Sequence, residues 1–104
     1  MKFLCLCNKI RRMMLLMMVD YVRLMPNAHE LKIMPEYYSA VEDETKRFEL
    51  RYNDRNFNIG DTLTLREWDG DYTGRKLTCN VDYILNSHNG LDKGYVIMGI
   101  TKQP

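Results

Sequence analysis

Residues 46–61 read KRFELRYNDRNFNIGD, a segment that carries seven charges and changes its pattern halfway along. In the first half, Phe48, Leu50 and Tyr52 alternate with charged residues. A period of two is typical of a half-buried strand whose apolar side chains face the core. The second half, residues 53–61, holds turn-forming residues and one glycine, which predicts a loop. The segment therefore predicts a strand with a charged outer face, followed by a polar loop.

Upstream of this strand, the sequence predicts a second strand and a helix. Residues 29–33 (HELKI) form the strand candidate. Pro35 then opens a helix over residues 35–43, because the missing amide hydrogen of proline costs nothing in a first helical turn. Tyr37, Tyr38 and Val41 are expected on its inner side.

Downstream, three more strands are predicted, at residues 62–68 (TLTLREW), 76–85 (KLTCNVDYIL) and 94–101 (GYVIMGIT). Asp69-Gly70-Asp71 and Thr73-Gly74 mark a hairpin between the first two of them. The last strand is apolar on both faces, so it is expected inside the sheet and not at its edge. One face of the middle strand is expected to carry Leu77, Cys79, Val81, Tyr83 and Leu85.

One short helix followed by strands at hairpin spacing predicts a small α+β domain, a mixed β-barrel with one or two short helices. The order of elements excludes a Rossmann fold, and the sequence contains no Gly-rich phosphate loop. Inward-facing positions alternate along barrel strands. The predicted core is Phe48, Leu50, Leu63, Leu65, Val81, Val96 and Ile100.

The charge of the chain is unevenly distributed. The 104 residues suit one domain, and 45% hydrophobic with 28% charged residues is an ordinary globular composition. Residues 1–27 hold five basic residues against one acidic residue, a local +4, so residues 28–104 sum to −3 because the total is +1. Non-specific nucleic-acid binding depends on counterions released by Lys and Arg. An acidic domain must therefore recognise any nucleic acid at a local site.

Residues 1–27 are predicted to be an extension of a domain at residues 28–104. Their apolar run, residues 13–19, is far shorter than the ~20 residues that span a bilayer, and no signal cleavage site follows it. Apolar side chains recur there at helical spacing: Ile10, Met13, Met14, Met17, Met18 and Tyr21. The stripe indicates a helix packed on the domain, a helix that binds a membrane surface or a partner, or a translated stretch ahead of the true start.

Cysteine and histidine usage indicates a reduced compartment without a structural metal. Three cysteines cannot all pair with one another, and Cys5-x-Cys7 is too close for ordinary bridging. The two histidines, His29 and His88, do not lie at metal-ligand spacing. We expect a cytoplasmic protein with no metal and no cofactor.

Several blocks of the sequence resemble a known family: HELKI, PEYY, KRFELR, FNIGDTLTLREWD, YTGRKL and GLDKGYVIMGI. Over residues 28–101 the chain is similar to the phage- and bacteria-associated domain of unknown function 3850, in the ASCH branch of the PUA-like superfamily. The resemblance implies a small β-barrel with a helix closing a cleft. It also implies an association with RNA or modified nucleosides.

The ASCH pattern Gly-x-Lys-x-x-x-x-Arg falls on this segment. Lys46 and Arg51 match its basic positions, whereas Glu44 stands in place of the glycine. Some similar small proteins hydrolyse an acylated cytidine with a lysine, a threonine and a later glutamate. Here the threonine position is Glu49, and residues 87–94 contain no matching glutamate, so the resemblance does not carry the hydrolase triad over.

The residues themselves suggest two recognition sites. Arg47, Glu49 and Arg51 would stand on one strand face, where the carboxylate fixes two guanidinium groups for a phosphate or base edge, with Lys46 at a cleft mouth. The alternative is a solvated row of weak ion pairs. At the hairpin, Trp68, Tyr72, Arg66 and Arg75 would stack an unpaired base or merely cover the barrel end. Arg55 of the intervening loop completes the candidate ligand contacts.

The favoured function is a monomeric, non-enzymatic RNA- or nucleotide-binding module in a bacterial or phage-infected cell. One alternative is an amidohydrolase of a modified nucleoside, with Lys46 and Glu49 as its catalytic groups. Another is a phage protein that binds a host protein through the N-terminal helix.

Overall fold

The computed structural model describes residues 26–104, where one helix packs on a single five-stranded sheet. The predicted N-terminal helix lies outside the described residues. The strands and the helix, in chain order, are β1 (Ala28–Ile33), α1 (Pro35–Glu42), β2 (Phe48–Tyr52), β3 (Thr62–Trp68), β4 (Tyr72–Asn86) and β5 (Tyr95–Lys102). The predicted α+β class is confirmed, and the bounds of β3 are those expected from the sequence.

The sheet is mixed and curls into a half-barrel. Its strand order is β1-β3-β4-β5-β2, in which only the β1–β3 pair is parallel. β5 lies between β4 and β2, as its two apolar faces predict. β4 is 15 residues long and pairs with both β3 and β5, so one long curved strand links the two halves of the sheet. β1 and β2 are its two edges.

Arginine side chains join these two edges. Arg51 of β2 donates from Nη2 to the main-chain oxygen of Lys32 at 2.7 Å. Arg55, in the loop after β2, donates from Nη1 to the main-chain oxygen of Glu30. A closed barrel would have a main-chain ladder at this place. In this domain, arginine guanidinium groups lie between β1 and β2 in place of such a ladder. We call this gap between β1 and β2 the seam.

The predicted core is largely confirmed, but β2 faces the opposite way. Leu63, Leu65, Val81, Val96 and Ile100 are buried as expected. Phe48 and Leu50, by contrast, are 48% and 52% exposed, whereas Glu49 between them is 3% exposed. Burial of Glu49 is tolerated because its carboxylate is paired with two cations, and a paired buried charge avoids most of the cost of an isolated one.

An irregularity in β4 changes which side chains face the core. The register with β5 shifts between Val81 and Tyr83. A bulge of this kind reverses the alternation beyond it, so Tyr83 is 61% exposed although the period-two pattern places it with Val81. The prediction of one shared face from Leu77 to Leu85 is therefore wrong beyond the bulge.

Helix α1 forms where the proline signal predicts it. Pro35 begins the helix, and the amide of Tyr38 donates to the oxygen of Met34 at 2.8 Å to close the first turn. Tyr38 and Val41 are buried against the sheet. Tyr37, which was also expected to face inward, is about half exposed. It stands instead beside an open cleft at the seam.

Candidate functional site

A cleft of about 530 Å³ opens between the end of β1, the start of α1 and strand β2. This volume lies in the range typical of small-molecule sites, ~300–1,000 Å³. The cleft is lined by Lys32, Ile33, Met34, Tyr37, Lys46, Phe48, Glu49, Leu50 and Arg51. These residues lie within positions 32–51, on three consecutive elements and the turn before β2, and they meet at the seam.

A charged triad forms the floor of the cleft. Oε1 of Glu49 lies 2.5 Å from Nζ of Lys46, and Oε2 lies 2.8 Å from Nε of Arg51. The Glu49 side chain is almost fully buried, while those of Lys46 and Arg51 are partly open. Charge-assisted bonds from two sides fix the carboxylate and orient both cations. The triad thus presents preoriented donors and an acceptor at one place.

The walls of the cleft are apolar and partly aromatic. Met34, Tyr37, Phe48 and Leu50 are each about half exposed. Nζ of Lys46 lies 4.8 Å from the ring centroid of Phe48 and 5.8 Å from that of Tyr37. A few convergent polar groups within apolar walls are the usual composition of a ligand pocket. Such walls can hold a flat ring, which the triad would then orient.

The turn between α1 and β2 places Lys46 in the cleft. Glu44 adopts a left-handed φ of 67°, the conformation for which glycine is normally required. The amide of Lys46 then donates back to the oxygen of Ala40 at 2.9 Å. The hydroxyl of Thr45 donates to Asp43, which lowers the pKa of that carboxyl. The turn thus has a left-handed residue two positions before Lys46.

The expected row of Arg47, Glu49 and Arg51 is not formed. β2 begins at Phe48, and Arg47 precedes it. The Nε of Arg47 donates to the oxygen of Glu44 at 3.1 Å, and its side chain is exposed outside the cleft. Lys46 was expected on the other side of the strand, but it lies beside Glu49, in the position expected for Arg47. A short connection between helix and strand allows this exchange, because alternation holds only within the strand itself.

The Arg75 side chain is 48% exposed, but structural partners fix the position of its guanidinium. Its Nε and Nη2 lie 3.0 Å from the two carboxylate oxygens of Glu67, and its guanidinium stacks 4.5 Å from the ring centroid of Tyr38. These hydrogen bonds, with one from Thr73, lower the pKa of Glu67, and the same pair raises the pKa of Arg75. This pair fastens β3 to β4 beneath α1.

The two aromatic residues at the hairpin pack on each other. The rings of Trp68 and Tyr72 meet edge to face, with centroids 4.9 Å apart. The ammonium of Lys32 lies 3.8 Å from the Trp68 centroid, and the guanidinium of Arg66 lies 3.7 Å from the Tyr72 centroid. A cation thus lies over one face of each ring. Lys32 also lines the cleft, so it links the hairpin to the triad.

Sequence reasoning missed Lys32 and Tyr37 as cleft residues. Lys32 was given no role within the predicted strand at residues 29–33, and Tyr37 was expected on the inner side of the helix. Their place in the cleft depends on contact between β2 and the β1–α1 junction, which is long-range. The one local signal is that Met34-Pro35 joins a strand directly to a helix, which leaves large side chains at the corner.

His29 and Asp61 form a structural contact away from the cleft. Nε2 of His29 lies 2.9 Å from Oδ2 of Asp61. Asp61 also accepts from the amides of Asn27 and Asn58. Across residues 26–104, no group of three or more His, Cys, Asp or Glu side chains is arranged to hold a metal. None of the helices in that range is long and apolar enough to cross a membrane.

Cys79 is a free, fully buried thiol inside the sheet. Burial raises the pKa of Cys79 to about 11, with a smaller contribution from the carboxylate of Glu49. A thiol of this kind is almost entirely protonated near neutral pH and is a poor nucleophile. Cys79 is therefore a core residue.

The fold and the cleft define a small α+β domain whose curled mixed sheet carries a ligand-sized site at its seam. The family model described as Domain of unknown function (DUF3850) matches residues 28–100, and the chain belongs to this family. An uncharacterized 12.9 kDa protein in the GpA 3′ region of Escherichia phage P2 is 37% identical over 76 residues, which is 72% of this chain and 69% of that protein. The family match contains every residue that lines the cleft.

Proposed function

We propose that the domain binds a nucleotide or an unpaired RNA base in the cleft. The observation that supports this most directly is the buried carboxylate of Glu49, held between Lys46 and Arg51 on the floor of a pocket with aromatic walls. A nucleobase has a flat apolar face together with donor and acceptor groups on its edge. The apolar walls of the cleft can pack against the face of the base, and the charged triad can form hydrogen bonds with its edge.

The charge of the domain favours such a local site over an extended nucleic-acid surface. Residues 28–104 sum to −3, so a long phosphate backbone gains little from general attraction. Affinity must come from directed hydrogen bonds and ring contacts inside the cleft. This limits the ligand to a single nucleotide, a nucleoside or one splayed base.

We also propose that the family lies in the ASCH branch of the PUA-like superfamily. Two observations support this. Glu44 keeps a left-handed backbone at the glycine position of the ASCH pattern, and the matching basic residues Lys46 and Arg51 meet in one cleft beside a helix. The chain then shares the site of that branch while its chemistry differs at Glu49.

Isothermal titration calorimetry of nucleosides, mononucleotides and short single-stranded RNAs tests the binding proposal. Phe48→Ala removes a cleft wall, whereas Tyr83→Ala removes a similarly exposed ring outside the cleft. We expect Phe48→Ala to weaken binding by ~1–3 kcal/mol, as loss of one stacking ring does, and Tyr83→Ala to leave it unchanged. If no compound binds, or if both variants weaken binding equally, the proposal is wrong.

The polar side of the site has its own pair of variants. Arg51→Ala is expected to weaken binding by ~1–3 kcal/mol, the loss of one bidentate contact, and Lys102→Ala to have little effect. Because Arg51 also closes the seam, Lys46→Met is the cleaner substitution and should act in the same direction. If Lys46→Met and Lys102→Ala reduce the binding affinity equally, the triad is only a structural group of ion pairs.

A second candidate, hydrolysis of an acylated nucleoside, is favoured by the 2.5 Å contact of Lys46 and Glu49 inside the cleft. In this proposal Glu49 takes a proton from water, and the water oxygen attacks the acyl carbon. Lys46 stabilises the oxyanion, the C–N bond breaks, and the proton passes to the departing amine. A carboxylate serves as this base but cannot replace the hydroxyl of a threonine.

Release of free cytidine from an acylated cytidine, followed by chromatography, separates the two candidates. Turnover that is lost in both Lys46→Ala and Glu49→Gln, but kept in Lys93→Gln, would establish the hydrolase. Binding without turnover in the unchanged protein would leave the binding module as the function.

A further inference from the structure

Lys32 is a cation of the cleft that the triad does not use. Lys32 lines the cleft from the end of β1, and its Nζ lies 3.8 Å from the ring centroid of Trp68 and 5.8 Å from that of Tyr72. No carboxylate of residues 26–104 forms an ion pair with it. Lys46 and Arg51, in contrast, share Glu49.

The cleft is positive although the domain around it is negative. Its charged lining residues are Lys32, Lys46 and Arg51 against Glu49 alone, a local +2 within a segment that sums to −3. Charges of one sign in a cleft with apolar walls focus the field there and attract an oppositely charged ligand. The rings beneath Lys32 orient its ammonium but leave its positive charge in place.

We propose that the ligand of the cleft is a nucleoside monophosphate and that Lys32 binds its phosphate. This inference rests on the proposed nucleotide-binding function and names the ligand class for the same site. The base occupies the part of the cleft between Tyr37 and Phe48, where the triad reads its edge. The phosphate then points along the seam towards β1, where Lys32 is the cation without a carboxylate partner.

Calorimetry with ribonucleoside 5′-monophosphates and the matching nucleosides tests this directly. A charge-assisted contact contributes ~1.5–3 kcal/mol, so the monophosphate should bind at least about tenfold more tightly than its nucleoside. Lys32→Gln should remove that preference, and an unchanged circular dichroism spectrum and urea midpoint would show that the variant is folded. Lys93→Gln, an exposed loop lysine outside the cleft, should change neither affinity.

Trp68, the only tryptophan in the chain, is a local reporter because Lys32 rests on its ring. Monophosphates should change its fluorescence, and nucleosides should change it much less. If nucleosides and monophosphates bind equally, or if Lys32→Gln keeps the preference, the inference is wrong while the proposed function stands. If neither class binds, the proposed function fails and the inference fails with it.

Discussion

At the scale of single residues, Glu44 shows how a side chain can occupy a position that suits glycine. Its φ of 67° is left-handed, and its Cβ then lies close to the neighbouring peptide. The turn is retained because Lys46 bonds back to α1 and Thr45 bonds to Asp43. The strain is thus local, and the turn still places Lys46 in the cleft.

Glu44→Gly should therefore stabilise the domain. Glycine relieves the left-handed strain of ~1–2 kcal/mol but loses more chain entropy, by ~0.5–1 kcal/mol. We expect a net gain of about 0.5–1 kcal/mol in the free energy of unfolding, measured with urea. Glu44→Ala is the matched control, since it removes the same carboxylate and keeps Cβ, and it should give no such gain. Equal effects of the two substitutions would contradict the account.

At the scale of elements, β2 carries the main difference between prediction and structure. The pattern correctly predicted a strand, although the alternation includes Arg47 and β2 begins at Phe48. Its prediction that Phe48 and Leu50 face the core is wrong, because the buried face depends on the cations that pair with Glu49. Lys46 lies before the strand and Arg51 within it, and both turn inward at the seam. Hydropathy alone places charged residues outside, a rule that paired buried charges violate.

The seam itself makes a testable prediction about the two edge strands. Arg51→Ala removes the bond to the Lys32 oxygen and one partner of buried Glu49, so we expect a loss of ~2–4 kcal/mol in unfolding free energy. Arg55→Ala removes a single, more exposed bond and should cost about 1 kcal/mol.

Arg47→Ala is the matched control for the seam substitutions, because among the described residues its exposed guanidinium forms one hydrogen bond, to the Glu44 oxygen, and no ion pair. We expect a change within ~0.5 kcal/mol. Urea unfolding measures all three variants. If Arg51→Ala is no more destabilising than Arg47→Ala, the guanidinium groups do not close the sheet.

The ion pair of Glu67 and Arg75, which joins β3 to β4 beneath α1, predicts that the stability of the domain depends on pH. Arg75 holds the pKa of Glu67 below its ordinary value of 4.5. A carboxyl with a lowered folded pKa contributes stability that is present above its unfolded pKa and lost as the pH falls through the folded value. Arg75→Gln should therefore destabilise the domain most near neutral pH, and the difference from the unchanged protein should shrink in acid.

The midpoint of urea unfolding, followed from neutral pH to below pH ~4, measures this difference. Arg66→Gln, which breaks a more exposed ion pair with Glu30, serves as the control. We expect its urea midpoint to differ less from that of the unchanged protein and to vary less with pH. A constant difference for Arg75→Gln across the pH range would show that the Glu67 pair does not contribute through its charge.

At the scale of the whole molecule, local patterns predicted the elements but not the site. The strands have an alternating pattern or, in β5, apolar residues on both faces, and Pro35 marks the helix, so class and element order could be predicted. The cleft forms because the sheet curls and brings β2 back beside β1, and neither curl nor seam has a local signature. The bulge after Val81 contributes to the curl and shows no glycine signal. Lys32 could therefore be assigned to the site only in three dimensions.

The described segment should fold without residues 1–25. Its core is enclosed by the five strands and α1, but Asn27 is part of it: its oxygen accepts from Thr62 at 2.9 Å, and its amide donates to Asp61. A chain that begins at Pro26 should show one cooperative transition in circular dichroism with an unchanged urea midpoint. Removal of Asn27 as well should lower that midpoint. Loss of cooperativity in the chain that begins at Pro26 would show that residues 1–25 belong to the core.

The most direct test of the cleft as the functional site is nuclear magnetic resonance mapping of the ligand. Amide shifts of the labelled protein would be followed during titration with the mononucleotide that binds most tightly. The account predicts that the largest changes fall on residues of the cleft, above all Lys32, Tyr37, Phe48 and Glu49. Changes centred on the outer face at Tyr83 and Tyr95, or no changes at saturating nucleotide, would contradict it.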